Sequence, residues 1–252
     1  MTTPRATLVC SIDLPGGAAE PLPAAWLREM AQELAVCEAP FTLALADLSL
    51  LAQVRSAVTD CHELALRVDE GWAGPDVRRP LFARTLEAQL NMAREQGVTV
   101  QTLAWGSFPL TTHTDLLVKH GIQAIRTLAP APKAAFLPRV FRAPTVVADR
   151  AEIVRFGVCT VPAMVSWTYG QGVRSLRKPL IAAAESGSAH LVCDLRGAAV
   201  NQPLDARFRH SLRELMRHRH TVRATVETVV ESAQRKLAPR RTVSAQSILR
   251  AA

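Results

Sequence analysis

The sequence lacks the features of membrane proteins and of disulfide-rich secreted proteins. Its 252 residues contain no run of eighteen or more uncharged apolar residues, so no transmembrane helix is predicted. The five cysteines are scattered, odd in number and without a CxxC pair, which argues against a disulfide framework or a structural zinc site. Residues 1–13 are too short and too interrupted for a secretory signal. We therefore expect a cytoplasmic protein with reduced, mostly buried thiols.

Common catalytic motifs are also missing. The chain has no GxSxG, no P-loop, no GxGxxG and no HExxH pattern. His218 and His220 lie two residues apart on a predicted helix and point in different directions, so a shared metal is not expected. His190 and Cys193 are three residues apart on a predicted strand and face opposite sides, which argues against a Cys–His pair.

Positive charge is concentrated near the C-terminus. The net charge is +8, and residues 207–250 hold eleven Lys or Arg against three Glu, so the rest of the chain is neutral. We predict one domain over residues 1–236, ending in a basic helix and a terminal segment, and a flexible basic tail over 237–252. The basic helix is interpreted as a solvated face, with binding of an acidic partner or of nucleic acid as the alternative. No aromatic residue follows Phe208, so single-strand base stacking has no platform there, and nucleic acid is the less expected of the two partners.

Short apolar runs alternate with helical patterns, which predicts parallel βα units and an α/β fold. Strands are expected over 6–13, 41–47, 63–69, 98–105, 122–128, 161–167 and 189–195, and the helices between them over 24–38, 49–61, 79–97, 113–121 and 176–187. Gly97 and Gly121 stand where left-handed helix caps are needed. Polar residues collect at the carboxyl ends of the strands, where α/β barrels place their sites.

Three stretches resemble the polysaccharide deacetylase family, also called the NodB homology domain. They are LVCSIDLPGG, then HELALRVDEGWAG with the following RPLFARTLEAQLNMAREQGVTVQTL, and GSAHLVCDLRG with the Arg-rich helix and TVRATVETVV. The resemblance spans roughly residues 6 to 231. It implies an irregular (β/α) barrel of the deacetylase type with about seven parallel strands.

The chemistry that the resemblance implies is metal-dependent removal of N-acetyl groups from carbohydrate. The family holds a divalent metal with one Asp and two His, beside an Asp base and a His acid. Here Asp13 stands in the base position, the ligand positions fall on Leu14, Arg67 and Gly71, and Asp194 stands in the acid position. None of the three ligand positions can bind a cation, and an arginine repels one. The resemblance thus implies a degenerate member without metal or cofactor, in which Asp13 and Asp194 are vestigial catalytic residues.

A ligand-binding cleft is expected at the carboxyl ends of the strands. Its candidate residues are Arg67, Asp69, Glu70, Trp72, Trp105 and Trp167. We expect Arg67 to take the former metal position and to be neutralised by Asp13 or Asp194, because buried charges persist when they are paired. Alternatively, the same residues bind an anionic or sugar ligand. Aromatic faces beside carboxylates suit carbohydrate, although each Trp could equally be a packing residue.

Three functional hypotheses remain open from the sequence. The first is a non-catalytic deacetylase homologue that binds a carbohydrate or anionic ligand, or serves as a structural homologue, in carbohydrate or cell-envelope metabolism. The second is an active hydrolase of carbohydrate C–N bonds. The third is an adaptor that binds nucleic acid or an acidic partner through the basic C-terminus.

Overall fold

The computed structural model describes residues 6–16, 22–106, 113–128, 153–154, 158–163, 165–168 and 185–237. The strands are β1 (Ala6–Asp13), β2 (Thr42–Leu45), β3 (Glu63–Arg67), β4 (Thr102–Ala104), β5 (Ala124–Leu128), β6 (Ile153–Val154), β7 (Val158–Ala163), β8 (Val165–Thr168), β9 (Ser188–Asp194) and β10 (Ala224–Glu227). The helices are α1 (Ala24–Cys37), α2 (Leu51–Ala57), α3 (Glu70–Ala73), α4 (Arg79–Glu95), α5 (Thr114–Lys119) and α6 (Ala206–Val222), followed by a terminal helix over 229–237.

The strands form a nearly closed barrel with seven positions. Strands β5, β4, β3, β2, β1 and β9 follow one another and are all parallel. Strands β7 and β8 share the seventh position, because β7 pairs with β5 and β8 pairs with β9 while one residue separates them in the chain. The short β6 pairs antiparallel with β7, and β10 pairs with the first half of β1. The predicted α/β barrel of about seven parallel strands is confirmed.

Strand residues alternate between two layers. Leu8, Cys10 and Ile12 of β1 belong to the main apolar core, which also contains the buried faces of the helices. Ser11 and Asp13 therefore face the opposite side, the barrel interior. The interior is lined by small and polar residues, among them the alanine cluster Ala44, Ala65 and Ala104. This small-residue layer leaves room for larger charged side chains at the carboxyl end of the barrel.

The helix predictions agree with the structure except in length. Gly97 and Gly121 follow α4 and α5 with φ of 70° and 78°, the left-handed conformation expected of them. The helix predicted over 49–61 is a short 3₁₀ turn followed by α2, and it ends because the backbone turns extended at Val58. The helix predicted over 176–187 lies almost entirely outside the described residues. No helix among the described residues is long and apolar enough to cross a bilayer.

Helix α6 packs on the barrel through an apolar stripe: Phe208, Leu212, Leu215 and Met216 are buried. Several of its arginines contact neighbouring elements. Arg213 donates to Glu33 of α1 with Nε···Oε2 at 2.9 Å, and Arg219 donates to the Glu38 carbonyl at 3.2 Å. Part of the basic face is therefore used within the fold. The predicted tail begins at residue 237, and residues 238–252 lie outside the described residues. Leu237 itself packs on an apolar cluster that includes Val9, Val161 and Val229, and so packs with the domain.

The terminal helix covers the amino-terminal end of the barrel. Its first amide, on Val229, donates to the Thr42 hydroxyl at 2.8 Å, and this hydroxyl donates to Glu63 Oε2 at 2.7 Å. The Val230 amide reaches the same carboxylate oxygen at 3.1 Å. Burial raises the pKa of Glu63, although these hydrogen bonds oppose the shift. The hydroxyl and carboxylate thus satisfy amides that the first turn of a helix leaves unpaired.

Thr42→Val is expected to lower the free energy of unfolding by about 1–3 kcal/mol, because it leaves the Val229 amide without its buried acceptor and removes one of the two hydrogen bonds to Glu63 Oε2. Urea unfolding followed by circular dichroism measures the change. The control is Ser56→Ala, which removes an exposed hydroxyl that donates to the Gln53 carbonyl and should change stability by less than about 0.5 kcal/mol. Equal effects of the two substitutions would contradict the role assigned to Thr42.

The cysteines are free, as predicted, and Cys61 is the exposed one. Burial raises the pKa of Cys37 to about 11 and that of Cys193 to about 12. Thiols with such values stay protonated near neutral pH and are therefore poor nucleophiles.

Candidate functional site

A cleft of about 310 Å³ opens at the carboxyl ends of β1 to β5. Its polar lining consists of Asp13, Arg67, Asp69, Glu70, Arg126 and Arg196, and the remainder of Ala46, Val68, Gly106 and Leu128. Four of the residues selected from the sequence therefore share one cleft. The fold brings them together because the carboxyl ends of parallel strands meet at the same end of a barrel.

The deepest polar feature of the cleft is an ion pair between Asp13 and Arg126. Both residues are 1% exposed. The guanidinium is bidentate: Nη1 donates to Oδ1, and Nη2 donates to Oδ2 at 3.1 Å. Sequence reasoning missed Arg126, although it is the lone charge in the apolar run IQAIRTL. Asp13 lies on β1 and Arg126 on β5, which are not neighbours in the sheet, so the pair forms across the barrel.

Asp194 stands beside Asp13 in the sheet and has its own arginine. Its Oδ1 accepts hydrogen bonds from the Arg196 backbone amide at 3.0 Å and from Nε at 2.8 Å, while Oδ2 accepts from Nη2. Burial alone would raise the pKa of Asp194, but the hydrogen bonds from Arg196 outweigh burial and hold the pKa below its usual value. The carboxyl group is therefore ionised near neutral pH and has no proton to donate.

Arg67, the last residue of β3, is half-buried and directed toward β1. Its Nη1 donates to the Leu14 carbonyl at 2.8 Å. Within the described part of the chain no carboxylate lies within 4 Å of the guanidinium. Burial lowers the pKa of Arg67, and the charge of Asp13 partly offsets this. The expected contact pair of Arg67 with Asp13 or Asp194 is thus wrong, because Arg126 and Arg196 already occupy these carboxylates.

Asp69 and Glu70 lie at the rim of the cleft, where β3 passes into α3. Asp69 Oδ1 accepts from the Gly71 amide at 2.7 Å and caps the helix, and both carboxylates are exposed. The rim is therefore acidic, whereas Arg67 leaves a positive charge deeper in the cleft.

The three candidate tryptophans, Trp72, Trp105 and Trp167, do not line this cleft. Trp105 and Trp167 are 0% exposed, and Trp167 packs on Phe208 of α6 with ring centroids 5.5 Å apart. Trp72 is half-buried and stacks on Phe82 at 5.9 Å. We therefore reassign Trp105 and Trp167 from ligand binding to the core, because a buried ring offers no surface to a ligand. Each indole completes the apolar layer between sheet and helices.

His190 is a buried imidazole that does not line the cleft. It lies within the barrel, with Nε2 at 2.8 Å from the Ser11 hydroxyl oxygen. Burial lowers its pKa to about 3, so it is neutral near pH 7. Cys193 belongs to the outer core, as the alternation of strand side chains predicts.

The positions that the resemblance assigns to a metal do not fit one. The Leu14 side chain is 1% exposed and packs in the main core, Arg67 carries a positive charge, and Gly71 has no side chain. All seven histidines of the chain lie in the described residues, and none lines the cleft. Among the described residues no three His, Cys, Asp or Glu side chains are grouped as metal ligands.

Comparison with solved structures identifies the architecture. A candidate polysaccharide deacetylase from Mycobacterium smegmatis superposes with a TM-score of 0.65 at 12% identity, over 95% of this chain and 92% of that one. The chain has the polysaccharide deacetylase fold. A CE4 family pseudoenzyme from Bacillus anthracis matches the deacetylase fold here with a TM-score of 0.54 at 12% identity, over 91% of this chain and 66% of that one. No protein-family model and no curated protein sequence matches the chain.

Proposed function

We propose that this protein is a non-catalytic relative of the polysaccharide deacetylases that binds a carbohydrate or an anionic ligand in the cleft. One observation carries the proposal: a guanidinium, that of Arg67, occupies a position where the resemblance expects a metal ligand. The other two ligand positions are an apolar core residue, Leu14, and a glycine, Gly71.

A bound metal would activate water and polarise the amide carbonyl in a hydrolase of this fold. The described residues offer no donor set for that metal at these positions. Asp194, in the position of the acid, is held ionised by Arg196 and is unsuited to protonating a leaving amine. Asp13, in the position of the base, has both oxygens engaged by Arg126. These contacts support binding rather than turnover.

The structural neighbours show that the fold occurs without activity. The Bacillus anthracis protein is described as a CE4 family pseudoenzyme, and a mutant of it as having restored enzymatic activity. By analogy we propose a role in carbohydrate or cell-envelope metabolism. The free thiols support a reducing, cytoplasmic location. As a secondary role, we propose that the exposed arginines of α6 bind an acidic partner.

The purified protein is expected to carry substoichiometric zinc, cobalt and nickel and to release no acetate from N-acetylated oligosaccharides. Elemental analysis and an acetate assay measure both. One metal per chain together with acetate release would overturn the proposal and favour the hydrolase of carbohydrate C–N bonds.

A matched variant tests whether the aligned positions are the right ones. Arg67→His and Gly71→His combined supply two imidazoles four positions apart, and the double variant is expected to bind zinc where the parent does not. Leu14 is left unchanged, because its side chain packs in the main core rather than in the cleft. A side chain at position 71 begins 2.9 Å from Asp69 Oδ1, which a rotation of that exposed carboxylate relieves. A folded double variant without zinc would contradict the assignment of these two positions.

A further inference from the structure

Among the described residues, the cleft contains one cation that no contact carboxylate neutralises. Asp13 pairs with Arg126 and Asp194 pairs with Arg196, so Arg67 is left over among the described residues. A guanidinium has five N–H donors, and the Leu14 carbonyl occupies one of those on Arg67. The remaining donors suit a bidentate contact with an oxyanion, the strongest kind of arginine hydrogen bond.

The surrounding charges limit that oxyanion to a single negative charge. The two ion pairs are internally balanced, so Arg67 contributes the one positive charge that no contact carboxylate offsets among the described residues. Asp69 and Glu70 at the rim of the same cleft contribute negative charge that would repel a phosphate dianion. A carboxylate brings one charge and matches the guanidinium in shape.

The rim also specifies the rest of the ligand. Ionised carboxylates accept hydrogen bonds and donate none. Asp69 uses Oδ1 for the Gly71 amide, and Glu70 is exposed, so both have oxygens available among the described residues. Hydroxyl groups are neutral donors for such acceptors. A volume of about 310 Å³ is at the small end of ligand cavities and suits one sugar ring rather than a long chain.

We infer that the ligand is a sugar acid, whose single carboxylate pairs with Arg67 while its hydroxyls donate to Asp69 and Glu70. This inference rests on the proposed binding function and names its ligand class. Arg67 is the residue that determines specificity, because it distinguishes an acidic sugar from a neutral sugar of the same size.

Calorimetric titration of the full chain tests the inference with three probes of matched ring size: glucuronate, glucose and glucose 6-phosphate. Glucuronate is expected to bind at least about tenfold more tightly than either of the others, the ratio that one net charged contact supplies. Arg67→Gln should abolish this preference. Glu70→Gln should weaken the binding of glucuronate by a smaller factor than Arg67→Gln does. The control is Arg79→Gln, which removes an exposed arginine paired with Asp115 outside the cleft and should change nothing.

The outcomes separate this inference from the proposed function. If glucose and glucuronate bind with equal affinity and the cleft variants lose both, the binding function stands and the assignment of a sugar acid as the ligand is overturned. Tighter binding of glucose 6-phosphate would also overturn it. Failure of all three sugars to bind would overturn the sugar acid, whereas the proposed function is overturned by one metal per chain together with acetate release. If Arg67→Gln does not fold, Arg67→Lys keeps the charge without the fork and should retain only part of the preference; undiminished preference in that variant would overturn the bidentate contact.

Discussion

Arg126→Met is expected to lower the free energy of unfolding by about 3–5 kcal/mol. The substitution removes the bidentate partner of Asp13 and strands a carboxylate that is 1% exposed. An uncompensated buried charge is among the most destabilising changes that one substitution can make. Urea unfolding at pH 7 measures the loss.

Two further variants show whether the loss comes from the stranded charge. The double variant Asp13→Leu with Arg126→Met should recover most of the lost stability, since apolar residues often replace a buried ion pair at little cost. Arg79→Met breaks a half-exposed pair with Asp115 and should cost no more than about 1 kcal/mol. If Arg126→Met is as mild as Arg79→Met, the ion pair is not buried as described.

Acidification is expected to destabilise the protein through His190. Its folded-state pKa of about 3 lies below the value of 6.5 for an unperturbed histidine, so the unfolded chain binds a proton that the folded chain does not. The stabilisation is therefore complete above about pH 6.5 and falls by about 1.4 kcal/mol per pH unit below it, until the folded-state pKa is reached.

Urea unfolding at pH 6.5, 5.5 and 4.5 measures how the free energy of unfolding changes with pH. His190→Gln should reduce this slope by about 1.4 kcal/mol per pH unit, the contribution of one bound proton. Carboxylates also titrate near the lower end, but their contribution is common to parent and variant and cancels in the difference. The control is His210→Gln on the exposed side of α6, which should leave the slope of the parent unchanged. Parallel pH profiles for the parent and His190→Gln would contradict a neutral buried imidazole.

The barrel was predictable because its strands are covered on both faces. Such strands give nearly continuous apolar runs, and each of the seven predicted segments corresponds to a position in the sheet. No helix is predicted between the strands over 122–128 and 161–167, and residues 129–152 of that connection lie outside the described part of the chain. The buried face of α6 also agrees with the sequence pattern, because Phe208, Leu212 and Leu215 are spaced by about one helical turn each.

The cleft was predictable in its location and only partly in its contacts. Asp13, Arg67, Asp69 and Glu70 follow the ends of apolar runs, and parallel strands bring such residues together. The tryptophans follow strand ends in the same way, yet Trp105 and Trp167 turn into the core. Which side a residue at a strand end faces depends on the exact register of the strand, because a shift of one residue reverses it.

Local sequence pattern was thus sufficient for the element order, the parallel barrel and the end of the barrel at which charged residues meet. The choice of partner for each charge required the closed sheet. Asp13 pairs with Arg126, which is 113 positions away in the chain and not on an adjacent strand, and Arg67 has no carboxylate in contact among the described residues. Hydrophobic periodicity is a property of neighbouring residues and can be read locally, whereas charge pairing depends on distances across the barrel that exist only after folding.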